Sequence, residues 1–225
     1  MSNLQNEYND SVHRGGFDVN RIFSSIKWFP IPRFKADGLN LITKKSKIRI
    51  NEEEFIKWDK CYGYISHAND KLTHKGFCRY SITVDDKYNI DIYNVHMDAD
   101  FRSDPNGDKD LEARQSQVNQ LCDYIVDRYY MGDINPAIII GDTNSYTDRQ
   151  CDVDTINILL SNINRVLGLT AQEITPANHK DVDRIFCINN YRSSTELRRV
   201  SCYYDLDKHM SDHKPLIVEL DIKSK

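Results

Sequence analysis

The sequence predicts a single α/β domain with a mostly antiparallel sheet covered by helices. Three observations carry that prediction: β-like runs separated by a short polar turn, helical stretches with one apolar face, and polar residues gathered at strand ends. The chain has 225 residues, 40% of them hydrophobic and 28% charged, with only 9 Gly and 6 Pro. Those proportions suit one large core and exclude a disordered or collagen-like chain. No linker, repeat or low-complexity tract divides the sequence, so residues 1–225 are read as one domain.

Taken in order, residues 1–35 show no period, and Pro30 and Pro32 interrupt whatever precedes residues 36–43, where Leu39 and Leu41 alternate as in a strand. An irregular opening is expected. Residues 76–84 and 88–95 are β-rich, and Asp85, Asp86 and Lys87 between them predict an antiparallel hairpin. Over 113–131, Val118, Leu121, Cys122, Ile125, Val126 and Tyr129 recur at the three-and-four spacing of a helix with one buried face. The apolar run 136–140 ends in Gly141-Asp142, which suits a buried central strand delivering polar groups at its carboxyl end. A second helix is expected over 155–167, with Asp154 as its cap, Ile156, Leu159, Leu160, Ile163 and Leu167 on one face, and Gly168 after it. Strands are expected at 182–188, 200–204 and 215–222, the last alternating cleanly from Leu216 to Ile222.

Thirty Lys and Arg stand against 34 Asp and Glu, a net charge of −4. No overall basic field therefore drives tight nonspecific binding to nucleic acid, although local patches remain. No run approaches the roughly 18 apolar residues that span a bilayer, and polar residues fill the first thirty positions. The expectation is a soluble, untargeted monomer without membrane insertion, cytoplasmic by default and exported should its start lie upstream of Met1. The six cysteines form no CxxC pair, which argues against a cysteine zinc site and leaves their redox state open.

Chemistry concentrates at four predicted strand ends: Asn94-Val95-His96-Met97-Asp98, Gly141-Asp142-Thr143-Asn144, Asp181-Val182-Asp183-Arg184 and Ser211-Asp212-His213. Packing alone does not select two His, several Asp and two Asn there, because unpaired buried charge costs several kcal/mol. Each residue has a plainer reading: Asp142 and Asn144 form an Asx turn, or Asp212 caps the final strand. The combination is harder to dismiss than its members.

These segments, as NVHMDA from Asn94, IIIGDTN from Ile138 and MSDHKP from Met210, resemble the endonuclease/exonuclease/phosphatase superfamily, with its deoxyribonuclease-like and neutral sphingomyelinase-like branches. Asp183-Arg184-Ile185 is similar to the family's D-R-I strand, Lys75-Gly76-Phe77 to its K-G element, and Arg114 with Gln117 to an R-x-x-Q helix. The resemblance implies a four-layered α/β sandwich, two mostly antiparallel sheets flanked by helices, with the first strand or strands missing. It implies a metal-dependent phosphoester hydrolase, most readily a phosphodiesterase acting on nucleic acid. Sphingomyelinase-like and inositol-phosphate phosphatase activities stay open, as does an impaired member that only binds phosphate.

Carried over residue by residue, Asp142 orients or deprotonates the attacking water and Asn144 holds a phosphate oxygen. His96 and His213 contact the phosphoryl group from opposite sides, and Asp183 fixes the His213 tautomer. Asp212 and Glu7 are the candidate metal ligands, and Asn94, Lys75 and Asp98 the candidate substrate contacts. In-line attack on an anionic phosphoester needs positive charge and fixed donors, and magnesium or manganese suits carboxylate and amide oxygens. The departure is at the amino end, where Leu4-Gln5-Asn6-Glu7-Tyr8-Asn9 puts Asn6 at the position of the family's metal-binding glutamate. A one-residue slip turns a strand side chain to the other face, so Glu7 reaches the metal only with local rearrangement. For a nuclease groove the basic candidates are Arg21, Lys27, Arg33 and Lys35, then Lys44, Lys45, Lys47 and Arg49, and then Arg192, Arg198 and Arg199. For lipid docking the candidate is Trp28 to Ile31.

Overall fold

The apolar run Ile138-Ile139-Ile140 lies in the interior of a six-stranded sheet, and its continuity has a simple cause: both of its faces are covered. The computed structural model describes residues 8–11, 39–63, 75–100, 108–176, 181–206 and 213–225. Within them the elements are β1 (Tyr8–Ser11), β2 (Leu41–Lys44), β3 (Ile48–Lys57), β4 (Gly76–Val84), β5 (Tyr88–His96), α1 (Asp108–Tyr130), β6 (Ala137–Asp142), α2 (Gln150–Asn164), β7 (Leu169–Glu173), β8 (Asp183–Asn190), β9 (Thr195–Tyr204) and β10 (Leu216–Ser224). The large sheet has the order β3-β4-β5-β6-β8-β7, and two ribbons, β1-β2 and β9-β10, stand apart from it. Only β5 and β6 run parallel, joined through α1; every other neighbouring pair is antiparallel.

Alternation sorts the strands' side chains into two cores. Phe77, Tyr93, Val95, Ile139 and Phe186 pack against Val118, Leu121, Cys122 and Ile125 of α1 and Ile156, Leu159 and Ile163 of α2. Their neighbours Cys78, Tyr80, Ile90, Ile185 and Cys187 face the other way, toward Leu39, Leu197 and Cys202 with Leu216, Val218, Leu220 and Ile222 beside them. The result is an α/β sandwich with a helical layer, the six-stranded sheet, and a second strand layer formed by the ribbons. A fourth layer outside the ribbons, expected from the resemblance, is not among the described residues. No helix among them is long and apolar enough to cross a membrane, and no disulfide joins the six cysteines.

The structure departs from the sequence reading in several places. The irregular opening contains the four-residue strand β1, too short to show a period and defined by its pairing with β2. Strand β3 was not expected, because it is an edge strand whose exposed Glu52, Glu53 and Glu54 hide any alternation. Strand β7, another edge, is five residues long and equally cryptic. Helix α2 starts at Gln150 after Arg149, and Asp154 is not its cap. The Asp154 carboxylate instead accepts the Gln150 side-chain amide at 2.8 Å. The helix ends at Asn164, and Gly168, with φ +99°, follows in the turn toward β7; a Cβ there would meet the Tyr191 ring at 1.9 Å.

On the helix-facing side, the Arg79 guanidinium is 2% exposed and gathers three carboxylates: Glu52 at 2.6 Å, Asp133 at 2.9 Å and Asp91 at 3.1 Å. Burial pushes the Asp91 carboxyl up to about 6, and neighbouring Asp133 adds to this while Arg79 opposes it. A carboxyl raised in the folded state favours folding in its protonated form. That contribution is full below its ordinary value near 4 and is lost as pH rises through about 6. Arg79→Met leaves these acids without their cation and should cost about 3–5 kcal/mol in urea unfolding at pH 8. The loss should shrink at pH 5, where Asp91 takes up a proton. An equal loss at both pH values would show that Asp91 stays ionised in the core.

Candidate active site

Strand register builds the site. The parallel β5-β6 pairing sets His96 opposite Asp142, and the antiparallel β6-β8 pairing sets Asp142 opposite Asp183. Three polar residues from adjacent strands therefore form one row at one end of the sheet. By parity the row shares its face with Ile92, Ile140 and Ile185, which pack toward the ribbons. The site thus opens at the end of the seam between the two strand layers.

The ribbon layer supplies the fourth member. His213, three residues before β10, places Nδ1 2.6 Å from Asp183 Oδ2. The Tyr204 hydroxyl of β9 also reaches across and donates to the Asp183 carbonyl at 2.7 Å. Across the row, His96 Nε2 lies 3.7 Å from Asp142 Oδ2. The side chains of His96, Asp142, Asp183 and His213 are 30%, 19%, 22% and 40% exposed, so all four remain open to a small molecule. Burial raises the Asp183 carboxyl above the usual carboxylate range; the His213 bond opposes this, and the charges of Asp142 and Asp181 reinforce it.

Two backbone features hold the row. Gly141 has φ +135°, and a Cβ on it would lie 2.2 Å from the Val95 carbonyl oxygen, so only glycine allows β5 and β6 to meet here. Asn144 has φ +47° and donates its backbone N–H to Asp142 Oδ1 at 2.8 Å. This is the Asx turn weighed from the sequence, and it leaves Asp142 Oδ2 facing His96. The Asn144 side-chain amide donates to the Met97 carbonyl at 3.0 Å, which also receives the Lys75 ammonium at 3.0 Å.

Lys75 and Asp98, the candidate substrate contacts, are both buried in this structure. Lys75 is 5% exposed, and Asp98 is fully buried, accepting the Tyr62 N–H at 3.2 Å while its own N–H reaches Gln117. The segment after β5 is buried, and its backbone groups need partners, which these side chains supply. Asn94 is half-buried and donates to the Asn40 carbonyl at 3.3 Å. Asp212, Glu7 and Asn6 lie outside the described residues. Among the described residues no group of His, Cys, Asp or Glu is arranged to hold a metal ion.

Several supports were not assigned that role from the sequence. Trp58 donates its indole N–H to the His96 carbonyl at 2.8 Å. Buried Arg184, inside the D-R-I motif, donates to the Ser145 carbonyl at 2.9 Å and to Glu173 at 2.8 Å, fixing the segment after Asp142. The basic clusters sit elsewhere. Lys44, Lys45, Lys47 and Arg49 surround the β2-β3 turn, and Ile48 pairs with Val84, whereas the site lies near Val95, which pairs with Phe77 at the other end of β4. Lys47 and Arg49 face Asp85 and Asp86. Arg192 follows the far end of β8, and Arg198 and Arg199 lie along β9 opposite Asp221 and Leu220. Arg21, Lys27, Arg33, Lys35 and the Trp28–Ile31 stretch lie outside the described residues.

No family model and no curated protein matches this sequence. Solved structures do match. The human Nocturnin catalytic domain, with bound sulfate, aligns over 99% of this chain and 77% of its own at TM-score 0.58 and 12% identity. An endonuclease/exonuclease/phosphatase from Bacteroides vulgatus aligns over 97% of this chain and 77% of its own at TM-score 0.57 and 14% identity. The chain has the endonuclease/exonuclease/phosphatase fold. Sphingomyelinase C from Streptomyces griseocarneus shares that fold over 82% of this chain and 68% of its own, at TM-score 0.54 and 14% identity. In the endonuclease/exonuclease/phosphatase fold of this chain, the polar row depends on the close β5-β6 approach. Gly141→Ala should therefore cost at least about 2 kcal/mol in chemical unfolding, through both the positive φ and the contact with Val95. A loss below about 1 kcal/mol would show that the strands separate without consequence.

Proposed function

We propose that this chain is a phosphoester hydrolase acting on phosphodiesters. The observation that carries the reading is the His96–Asp142–Asp183 row completed from the other layer by His213 at 2.6 Å. Asp142, with one oxygen anchored by the Asn144 N–H, orients the attacking water and takes its proton through the other. His96 donates to a phosphoryl oxygen beside it. His213, its Nδ1 held by Asp183, presents Nε2 to the phosphoryl group from the opposite side, and the carboxylate selects the tautomer. Asn144 orients the group through its amide.

A divalent ion, magnesium or manganese, would neutralise phosphoryl charge when bound. The described donors do not make a cation site alone, since Asp142 is engaged by Asn144 and Asp183 by His213. Ion binding therefore rests on Asp212 and Glu7, with a neutral Asn6 at the position of the resemblance's glutamate. Calorimetry should find magnesium binding no tighter than about millimolar. Micromolar affinity would mean that Glu7 is a full ligand.

The nucleic-acid substrate expected from the resemblance has little support in charge, because the described basic clusters lie away from the site. Hydrolysis of bis(p-nitrophenyl) phosphate beside that of a short oligonucleotide is the direct comparison. Asp142→Ala and His213→Ala should each lower kcat by about a hundredfold or more with the fold intact. Asp183→Asn should also lower kcat, through the wrong His213 tautomer. Wild-type rates in both alanine variants would overturn the site assignment.

A further inference from the structure

Behind the polar row lies a closed ring of charge. Asp100 belongs to the segment after β5, Arg149 to the segment after β6, Asp152 to the first turn of α2 and Arg114 to α1. Arg149 Nη1 donates to Asp100 Oδ2 at 2.5 Å, and its Nη2 donates to Asp152 Oδ1 at 3.1 Å. Arg114 Nη2 donates to Asp152 Oδ1 at 2.9 Å and closes the ring 3.9 Å from Asp100 Oδ1. The second Asp152 oxygen accepts the Tyr146 N–H at 3.1 Å. The side chains of Arg114, Asp100 and Asp152 are fully buried, and Arg149 is 28% exposed.

Stability alone does not explain this arrangement. Buried ion pairs are often no better than apolar packing of the same shape. Among the described residues, moreover, Arg114 Nε and Nη1 are buried without hydrogen-bond partners, which carries a further penalty. What the ring does is geometric. It ties Asp100, four residues beyond His96, to Arg149 and Tyr146, which follow Asn144. These are the segments whose nearer ends carry the proposed phosphoryl contacts, and there they are joined by the Asn144 amide bond to Met97 and the Met97 N–H bond to Asp142.

We infer that the Arg114–Asp152–Arg149–Asp100 ring is a clamp that fixes the segment carrying His96 against the segment carrying Asn144, making Arg149 and Asp100 positioning residues. The inference rests on the hydrolase reading of the site for its kinetic consequence, but not for its structural one. A rigid two-point tie matters because small misplacement of donors at a reacting centre is costly in rate. Arg149 suits this role better than lysine would, since its planar fork bonds both acids at once.

The test uses the full chain with Arg149→Met, Arg149→Lys and Asp100→Asn, read by amide hydrogen exchange and by kinetics on bis(p-nitrophenyl) phosphate. Arg149 is the partly exposed member, so its variants are the ones expected to fold. In Arg149→Met, exchange at the Asn144 and Asp98 amides should rise about tenfold or more while Tyr93 and Ile139 in the sheet stay unchanged. kcat should fall between about tenfold and a hundredfold with KM within about twofold, and Arg149→Lys should recover part of that loss. The Asp100→Asn and Arg149→Met effects should not add in the double variant, as befits one interaction. Unchanged exchange at Asn144 and Asp98 would overturn the clamp, and so would uniformly faster exchange across every strand, which marks a plain stabilising role. Full wild-type activity in Asp142→Ala would retire the hydrolase reading, and the exchange measurement would still decide the clamp.

Discussion

The close parallel contact between β5 and β6 is the constraint on which the rest of the molecule depends. Parallel neighbours require a crossover, and α1 provides it, so the one parallel pair also commits a long helix to one face of the sheet. Because both strands run the same way, their carboxyl ends arrive together, and His96 and Asp142 fall into register without any help from loops. The backbone separation that permits this leaves no space for a side chain at position 141. Glycine there is a condition of the strand pairing, and the polar row is its by-product.

The site is also a joint between layers. Asp183 sits on the large sheet, and His213 leads into the ribbon strand β10, so their bond is only as well placed as the packing that seats the ribbon. Leu197, Cys202, Val218 and Leu220 meet Cys187, Ile185 and Tyr80 in that seam, and Asn189 pairs its amide with the backbone of Leu197 at 2.9 Å in both directions. Apolar contact in the seam sets the distance between layers, while directional bonds such as Asn189–Leu197 and Tyr204–Asp183 set the lateral position. An imidazole and a carboxylate contributed by separate layers reach 2.6 Å because both kinds of interaction agree.

How far the sequence discloses this molecule depends on where the deciding information lies. The fully buried strand β6 and the long amphipathic helix α1 were legible because burial imposes local composition and period. That His96, Asp142 and Asp183 gather at strand ends was legible because polar clusters next to apolar runs have few structural excuses. Strand β3 was hidden, since its partner lies on one side and solvent on the other, and its run of glutamates follows surface chemistry. The start of α2 was misplaced because Asp152, not Asp154, organises that turn, and it does so through Arg149 just before the helix and through Arg114 from α1. The surroundings of Lys75 and Asp98 were hidden for the same reason: charge type is visible in sequence, whereas the carbonyl or N–H that engages it is a tertiary fact.

The Arg79 knot and the polar row use the same strand in opposite ways. Asp91 and His96 both belong to β5, five residues and roughly 17 Å apart at the strand rise, and parity turns one to the helices and the other to the seam. Around the buried Arg79 guanidinium the knot ties β3, β4, β5 and the approach to β6 together, so the sheet is anchored away from the polar row. Anchor and polar row are thereby separated along the strand and on opposite faces of the sheet. Segments entering and leaving the reactive edge can be exchanged for others of different length and charge without loosening the knot, which makes this scaffold suited to having its selectivity rebuilt from one end alone.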